Sequence, residues 1–141
     1  MTPMNRIGVL VVVVLSLASP ALAQDSYGSV QASRVAAGLT AAQRNAARAA
    51  QSYLKVSGFS RQGLIDQLSS QYGDQFSVED ATAAVDSLNV DWNTQAARSA
   101  EAYLKISGFS CRGLIDQLSS EHGDKYTVEQ ATYGAKQAGA C

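Results

Sequence analysis

Proline, histidine and aromatic residues are scarce in this sequence, and each shortage excludes a class of structure or site. Only two prolines and one histidine occur among the 141 residues, and aromatic residues make up 7%. One histidine cannot form a histidine-rich metal site. The shortage of proline and aromatic residues, together with abundant alanine, serine and glutamine, favours helices over sheet. The 11 basic and 12 acidic residues leave a net charge of −1, without the positive surplus typical of nucleic-acid binding. We expect an all-α protein.

The amino-terminal segment has the features of a secretory signal peptide. Arg6 precedes a short apolar run, Ile7 to Ala18, and Ala21-Leu22-Ala23 provides a small-x-small cleavage pattern. A bilayer core takes roughly 20 helical residues, so the short run favours cleavage over the alternative of an uncleaved anchor. No cysteine lies near the cleavage pattern, which excludes a lipid anchor there. We expect residues 1–23 to be removed and the protein to be secreted, or retained at the cell envelope.

A shift of 50 residues aligns the chain with itself. Residues 46–86 match residues 96–136 at 25 of 41 positions without a gap, and residues 63–70 are identical to residues 113–120. Internal identity of this length indicates a duplicated structural unit.

The duplication sets the domain boundaries. We assign residues 40–90 to repeat 1 and residues 91–141 to repeat 2. Residues 24–39 are mostly small and polar with no apolar period, which is typical of a flexible tether. The predicted organisation is a signal peptide, a short tether and two tandem three-helix repeats.

Capping signals divide each repeat into three helices. In repeat 1 the capping-box pair Thr40 and Gln43 predicts the start of the first helix, Ser60 the start of the second and Ser77 the start of the third. Repeat 2 has the same pattern, with Gly108, Ser110, Gly123 and Thr127 in the equivalent places.

Glycines and apolar spacing predict where the helices end and which side they bury. Gly58 and Gly73 are expected to end the first two helices, because glycine adopts the left-handed conformation without strain. Apolar residues at helical spacing predict the core of repeat 1. These positions are Ala46, Ala49, Ala50, Tyr53, Leu54, Leu64, Ile65, Leu68, Tyr72, Val78, Ala81, Val85 and Leu88.

The last helix of repeat 2 is the weakest of the six by composition. Ala135 and Ala138 stand where repeat 1 has Val85 and Leu88, and Gly134 lowers the helix preference further. We expect this helix to pack with less apolar surface than its counterpart.

Two cysteines, both in repeat 2, offer a compensating crosslink. In an exported protein Cys111 and Cys141 are expected to form a disulfide, which would close a loop of about 30 residues and stabilise the fold by about 3 to 4 kcal/mol. The alternatives are a free thiol on a disordered tail and an intermolecular disulfide that makes a covalent dimer.

A short connection, residues 89–93, joins the repeats and contains Trp92, the single tryptophan of the chain. We expect Trp92 to act as a wedge that packs the repeats together; the alternative is an exposed anchor for a partner.

The polar residues suggest binding rather than catalysis. The lone histidine, His122, has no counterpart in repeat 1, so no catalytic residue, metal site, cofactor or small-molecule substrate is predicted. Polar positions of the identical block are retained together with its leucines, which reflects either recent duplication or a repeated binding surface. The candidate surface comprises Asp66, Gln67, Ser70, Asp116, Gln117 and Ser120.

The pattern Tyr-Leu-Lys-x-Ser-Gly-Phe-Ser-x-x-Gly-Leu-Ile-Asp-Gln-Leu-Ser-Ser, at residues 53–70 and 103–120, resembles the repeat of the Ltp family of host cell surface-exposed lipoproteins. The resemblance implies tandem helix-turn-helix units outside the membrane, which in phage-encoded members block DNA injection by a superinfecting phage through its tail tape-measure protein. This chain departs from the family in lacking the lipobox cysteine and in carrying Cys111 and Cys141.

These observations favour an exported, non-enzymatic protein-binding module, with a phage tail component as the expected partner. A structural repeat that binds a cell-wall component is the alternative. Nucleic-acid binding ranks lower, because residues 78–88 of the candidate recognition helix contain three acidic residues and no basic one.

Overall fold

The computed structural model describes residues 38–141, so the predicted signal peptide and nearly all of the predicted tether lie outside the described residues. Residues 38–141 form six α-helices and no strand, which confirms the all-α prediction. The helices are α1 (Ala41–Val56), α2 (Arg61–Ser69), α3 (Val78–Asp86), α4 (Trp92–Ile106), α5 (Cys111–Ser119) and α6 (Val128–Gln137). None of these helices is long and apolar enough to cross a membrane.

The helix starts follow the predicted caps. Thr40 and Gln43 form the predicted capping box, and the side chains of Ser60 and Ser77 accept hydrogen bonds from the backbone three residues on. The start of α4 was missed: the Asp91 carboxylate accepts from the next backbone N–H groups, so α4 already begins at Trp92. The connection between the helices is therefore residues 87–91, which has the same length as the predicted connection but begins two residues earlier.

The predicted role of the glycines at helix ends is wrong. α1 ends two residues before Gly58 and α2 four residues before Gly73, and neither glycine has a positive φ. Within residues 38–141 the left-handed residues are Gln75 (φ 59°), its equivalent Lys125 (φ 58°), Asn89 (φ 49°) and Gly139 (φ 83°). A side chain at Gly73 would overlap the carbonyl of Gln67, so this glycine permits a close approach of the turn to α2.

Each repeat has its own hydrophobic core. In both, the first and third helices pack together and the second helix packs against both of them, with leucines of α2 and α5 fully buried. Two predicted core residues are instead exposed, Tyr72 by 94% and Val78 by 64%. Tyr72 lies in the turn after α2, and Val78 is the first residue of α3, ahead of the helical face that faces inward.

α6 is held against α4 by small residues. A Cβ at Gly134 would lie 2.6 Å from the backbone carbonyl of Ala96, so the two helix backbones are in direct contact. Ala131 and Ala135 are fully buried on the same face. Gly134 thus has a packing role that its low helix preference did not indicate.

Candidate binding surface

The two repeats meet head to tail, and two polar contacts join elements far apart in sequence. The Arg98 guanidinium on α4 donates a 2.6 Å hydrogen bond to the carbonyl of Leu54 near the end of α1. The Lys125 ammonium, in the turn before α6, lies 2.6 Å from the carboxylate of Asp66 on α2. Both contacts run from repeat 2 to repeat 1.

A second group of contacts places the backbones of the repeats close together. The Ser60 hydroxyl donates to the carbonyl of Asp124, and Ser60 is 2% exposed. A Cβ at Gly58 would lie 2.6 Å from the carbonyl of Gln95 and 2.5 Å from the Ser99 hydroxyl. Gly58 has no side chain because α4 occupies the space where one would lie. The role of this glycine is therefore close packing and not the helix end that the sequence predicted.

The two sides of this contact are formed by different sets of residues. The acceptor face of repeat 1 consists of Leu54, Gly58, Ser60 and Asp66. The docking face of repeat 2 consists of Gln95, Arg98, Ser99, Asp124 and Lys125.

A cleft of about 510 Å³ lies along this contact. Asp66, Gln67 and Ser70 line it from α2 and its carboxyl end, and residues 123–125 line it from repeat 2. Half of the candidate binding residues thus surround one polar cleft, whereas their equivalents in repeat 2 do not.

The two aspartates of the candidate surface have different surroundings. Burial tends to raise the pKa of Asp66, but hydrogen bonds from Lys125 and Gln62 outweigh it and hold that pKa below its usual value. Asp116 is 71% exposed on its side chain, and its ion-pair partner is Arg112 on the same helix, 3.9 Å away. Asp66 is engaged by the neighbouring repeat, while Asp116 remains accessible to solvent.

The other candidate residues form the same hydrogen bonds in both repeats. The Gln67 amide donates to the Tyr53 hydroxyl at 3.3 Å, and the Ser70 hydroxyl accepts from the backbone N–H of Tyr72 at 3.1 Å. The equivalent pairs in repeat 2 are Gln117 with Tyr103 and Ser120 with His122. The glutamine bonds join the second helix to the first, and the serine bonds hold the turn that follows. They therefore account for the retained glutamine and serine without a ligand.

The Asp124 side chain is the least satisfied polar group beside the cleft. Its Oδ1 accepts a 3.3 Å hydrogen bond from the Tyr103 hydroxyl, while Oδ2 is buried without a hydrogen-bond partner among the described residues. Burial raises the pKa of the Asp124 carboxyl, because the charged form loses hydration there.

Trp92 lies at the boundary between the repeats. It is the first residue of α4 and, half-buried, packs against the core of repeat 1 that includes Leu88. Trp92 thus belongs to repeat 2 in sequence, while its side chain packs against repeat 1.

A side-chain link joins the start of the second helix to the carboxyl-terminal part of each repeat, and the link differs in chemistry between the repeats. Cys111 and Cys141 form the predicted disulfide, with Cα atoms 4.7 Å apart. In repeat 1, Arg61 stands at the position of Cys111 and donates hydrogen bonds of 2.7 and 2.8 Å to both carboxylate oxygens of Asp86. Each link ties the start of the second helix to the carboxyl end of the repeat.

Residues 38–141 contain no group of three histidine, cysteine or acidic side chains placed to hold a metal ion. His122 is exposed in the turn after α5.

Sequence reasoning missed the residues that join the repeats. Ser99 and Lys125 were not singled out, although both interrupt the repeat identity, with Ala49 and Gln75 at the equivalent positions. Such differences mark surfaces that one copy uses and the other does not. Arg98 carried no such signal, because repeat 1 also has an arginine, Arg48.

Comparison with known proteins gives matches in sequence and in structure. The family model described as host cell surface-exposed lipoprotein matches residues 41–88 and 91–137, one match for each repeat. A solved structure of Ltp, a superinfection exclusion protein from the Streptococcus thermophilus temperate phage TP-J34, is 31% identical in sequence. It aligns over 70% of this chain and 96% of that chain with a TM-score of 0.63. A search of curated proteins found no match. The repeat matches together with this structural neighbour show that the chain belongs to the Ltp family of host cell surface-exposed lipoproteins.

Proposed function

We propose that this protein is a superinfection exclusion protein, which acts outside the membrane and stops a second phage from injecting its DNA. The observation that carries the proposal is the match to Ltp, which extends over both repeats and 96% of that chain. The likeness therefore includes the tandem arrangement of the units and is not confined to one helical motif.

The proposed mode of action is binding of a phage protein, with the tail tape-measure protein as the partner, and without catalysis. The candidate surface of repeat 2 comprises Asp116, Gln117 and Ser120, of which Asp116 is exposed and the other two are half-buried. Asp116 supports this role most directly, because its carboxylate is exposed and makes only a long contact within its own helix.

The proposed location is extracytoplasmic. Residues 1–23 have the pattern of a signal peptide, and no cysteine near Ala23 is placed to receive a diacylglycerol anchor. We propose export followed by release or by retention at the envelope through protein contacts. Fractionation of expressing cells, with mass measurement of the exported form, tests this step separately from phage protection.

Infection of a susceptible host that expresses the protein tests the function. We expect phage adsorption to stay unchanged while DNA entry and plating efficiency fall. Asp116→Lys is expected to reduce protection, whereas Glu101→Lys, an equal change of charge at an exposed position of α4, retains it. Normal DNA entry in cells with ample exported protein would overturn the proposal.

A further inference from the structure

The acceptor face exists twice in this chain, but only the first copy is covered. On repeat 2 the equivalent residues are Leu104, Gly108, Ser110 and Asp116. No heavy atom of the described residues lies within 4 Å of a Cβ built at Gly108, apart from its chain neighbours. Ser110 is exposed where Ser60 is 2% exposed, and Asp116 is 71% exposed where Asp66 is 40% exposed.

The docking face also exists twice, and its first copy is open. The equivalents on repeat 1 are Asn45, Arg48, Ala49, Asp74 and Gln75. Arg48, Asp74 and Gln75 are exposed, whereas Arg98, Asp124 and Lys125 are half-buried in the contact.

The open docking face has the right backbone shape for the open acceptor face. Gln75 has a φ of 59° and Lys125 a φ of 58°, so the turns that carry the two faces share their left-handed residue. Arg48 can donate to the carbonyl of Leu104 as Arg98 does to Leu54. The carbonyl of Asp74 can likewise accept from Ser110.

We propose that a second copy of this chain docks its repeat 1 on the open acceptor face of repeat 2. The contact repeats the polar part of the one inside the chain and so joins molecules head to tail. It lacks the packing of Trp92, because Ala42 stands at the equivalent position of repeat 1. Because the two surfaces differ, the interface is heterologous and each added copy leaves a new open face at either end. Self-association of this kind does not depend on the proposed exclusion activity.

The association is weaker than the internal contact. Inside the chain Lys125 forms an ion pair with Asp66. Between copies the equivalent residues are Gln75 and Asp116, so a neutral amide replaces the cation. Docking also lacks the covalent connection that holds the two repeats of one chain together at high effective concentration. We expect self-association in the micromolar to millimolar range, as is typical of small interfaces.

Sedimentation velocity of the purified protein, from about 10 μM to about 1 mM, tests the proposal. The mean sedimentation coefficient of the wild-type protein should rise with concentration. Gln75→Lys restores the missing cation on a turn that already accepts lysine in repeat 2, and should shift the transition to about two- to fivefold lower concentration.

Gly108→Gln is the blocking variant. Its side chain has space in the single chain but would occupy the place of the incoming helix, so this variant should stay monomeric with an unchanged melting temperature. Wild-type and Gln75→Lys proteins that both remain monomeric at the highest concentration would overturn the proposal. Self-association that persists in Gly108→Gln would do the same, because it would need a different surface.

Docking of a copy covers Asp116, which the proposed function assigns to the phage partner. The two proposals are distinguishable because sedimentation uses the purified chain alone, with no phage protein present. A phage protein that binds this face of a chain shown to be monomeric would leave the exclusion function intact and overturn self-association.

Discussion

Ser99 and Tyr126 share a 2.8 Å hydrogen bond inside repeat 2, at the positions where repeat 1 has Ala49 and Phe76. Both residues are nearly fully buried, Ser99 at 6% and Tyr126 at 3% exposure. Burial also raises the pKa of Tyr126, so the phenol keeps its proton throughout the physiological range. Repeat 2 thus contains a buried polar pair where repeat 1 is apolar.

Removing one hydroxyl of this pair should lower the free energy of unfolding more than removing both hydroxyls. Tyr126→Phe leaves the Ser99 hydroxyl without its partner, and we expect the free energy of unfolding to fall by about 1 to 2 kcal/mol. The double variant Ser99→Ala with Tyr126→Phe reproduces the residues of repeat 1 and should recover most of the loss. Urea denaturation of the single and double variants measures the difference, and simply additive losses would contradict the pairing.

Gly58 and Gly108 form a natural matched pair for the contact between the repeats. Gly58→Ala places a methyl group 2.5 to 2.6 Å from atoms of α4, and we expect it to lower the free energy of unfolding by about 1 to 3 kcal/mol. Gly108→Ala meets open space and should be neutral, or stabilising by up to about 1 kcal/mol, because alanine restricts the unfolded chain. Thermal melts of both variants compare their melting temperatures with that of the wild-type protein. A similar fall at the two positions would be evidence against the close approach of α4 to Gly58.

Reduction should affect the repeats unequally. Cys111→Ser opens a loop of 30 residues, and the chain-entropy estimate for that loop is about 3 to 4 kcal/mol. We expect amide protection to be lost first at residues 131–140, while α1 to α3 retain theirs. Hydrogen exchange measured with and without a thiol reductant, with the Arg61→Ala variant as the matched change in repeat 1, would show whether the losses are confined in this way.

Acid should act in opposite directions on two aspartates, Asp86 in repeat 1 and Asp124 in repeat 2. The Arg61 hydrogen bonds lower the pKa of Asp86, so their contribution is present above the unfolded-state pKa and disappears as the pH falls through the folded-state pKa. Burial raises the pKa of Asp124, so its charge destabilises the fold at neutral pH, and protonation on acidification removes that penalty.

Amide exchange at about pH 3 and pH 7 separates these contributions. An exposed ion pair is typically worth about 0.2 to 1 kcal/mol, so the expected weakening of α3 on acidification is of that size. Asp86→Asn should remove the acid sensitivity of α3, and Asp124→Asn should remove the gain in repeat 2. Identical pH profiles for α3 and for residues 123–126 in the wild-type protein would refute the assignment.

The features that could be predicted from the sequence are short-range or repeated. Thr40 and Gln43 are three residues apart, and the repeat itself revealed which segments share a structure. The contact between Lys125 and Asp66 spans 59 residues, and no pattern in the sequence brings these side chains together.

The glycines show the same limit. A glycine near a helix end is compatible both with a left-handed cap and with close packing, and the choice depends on a neighbour that the local sequence does not reveal. Gly58 packs against α4, whereas Gln75 and Lys125 adopt the left-handed conformation after α2 and α5, and their side chains gave no conformational signal. The prediction of the candidate surface had the same limit. The hydrogen bond from Gln67 to Tyr53 exists only in the folded chain, so the sequence could not show that Gln67 has an internal partner.

The head-to-tail contact also has a consequence for the order in which the molecule assembles. A chain made from its amino terminus completes repeat 1 before α4 and residues 123–125 exist, and small helical units with local contacts fold quickly. The face formed by Gly58, Ser60 and Asp66 is therefore bare at first and is covered only when the final third of the protein has been made. Until then a newly made chain presents to its surroundings the same unfilled surface that the finished protein keeps on repeat 2.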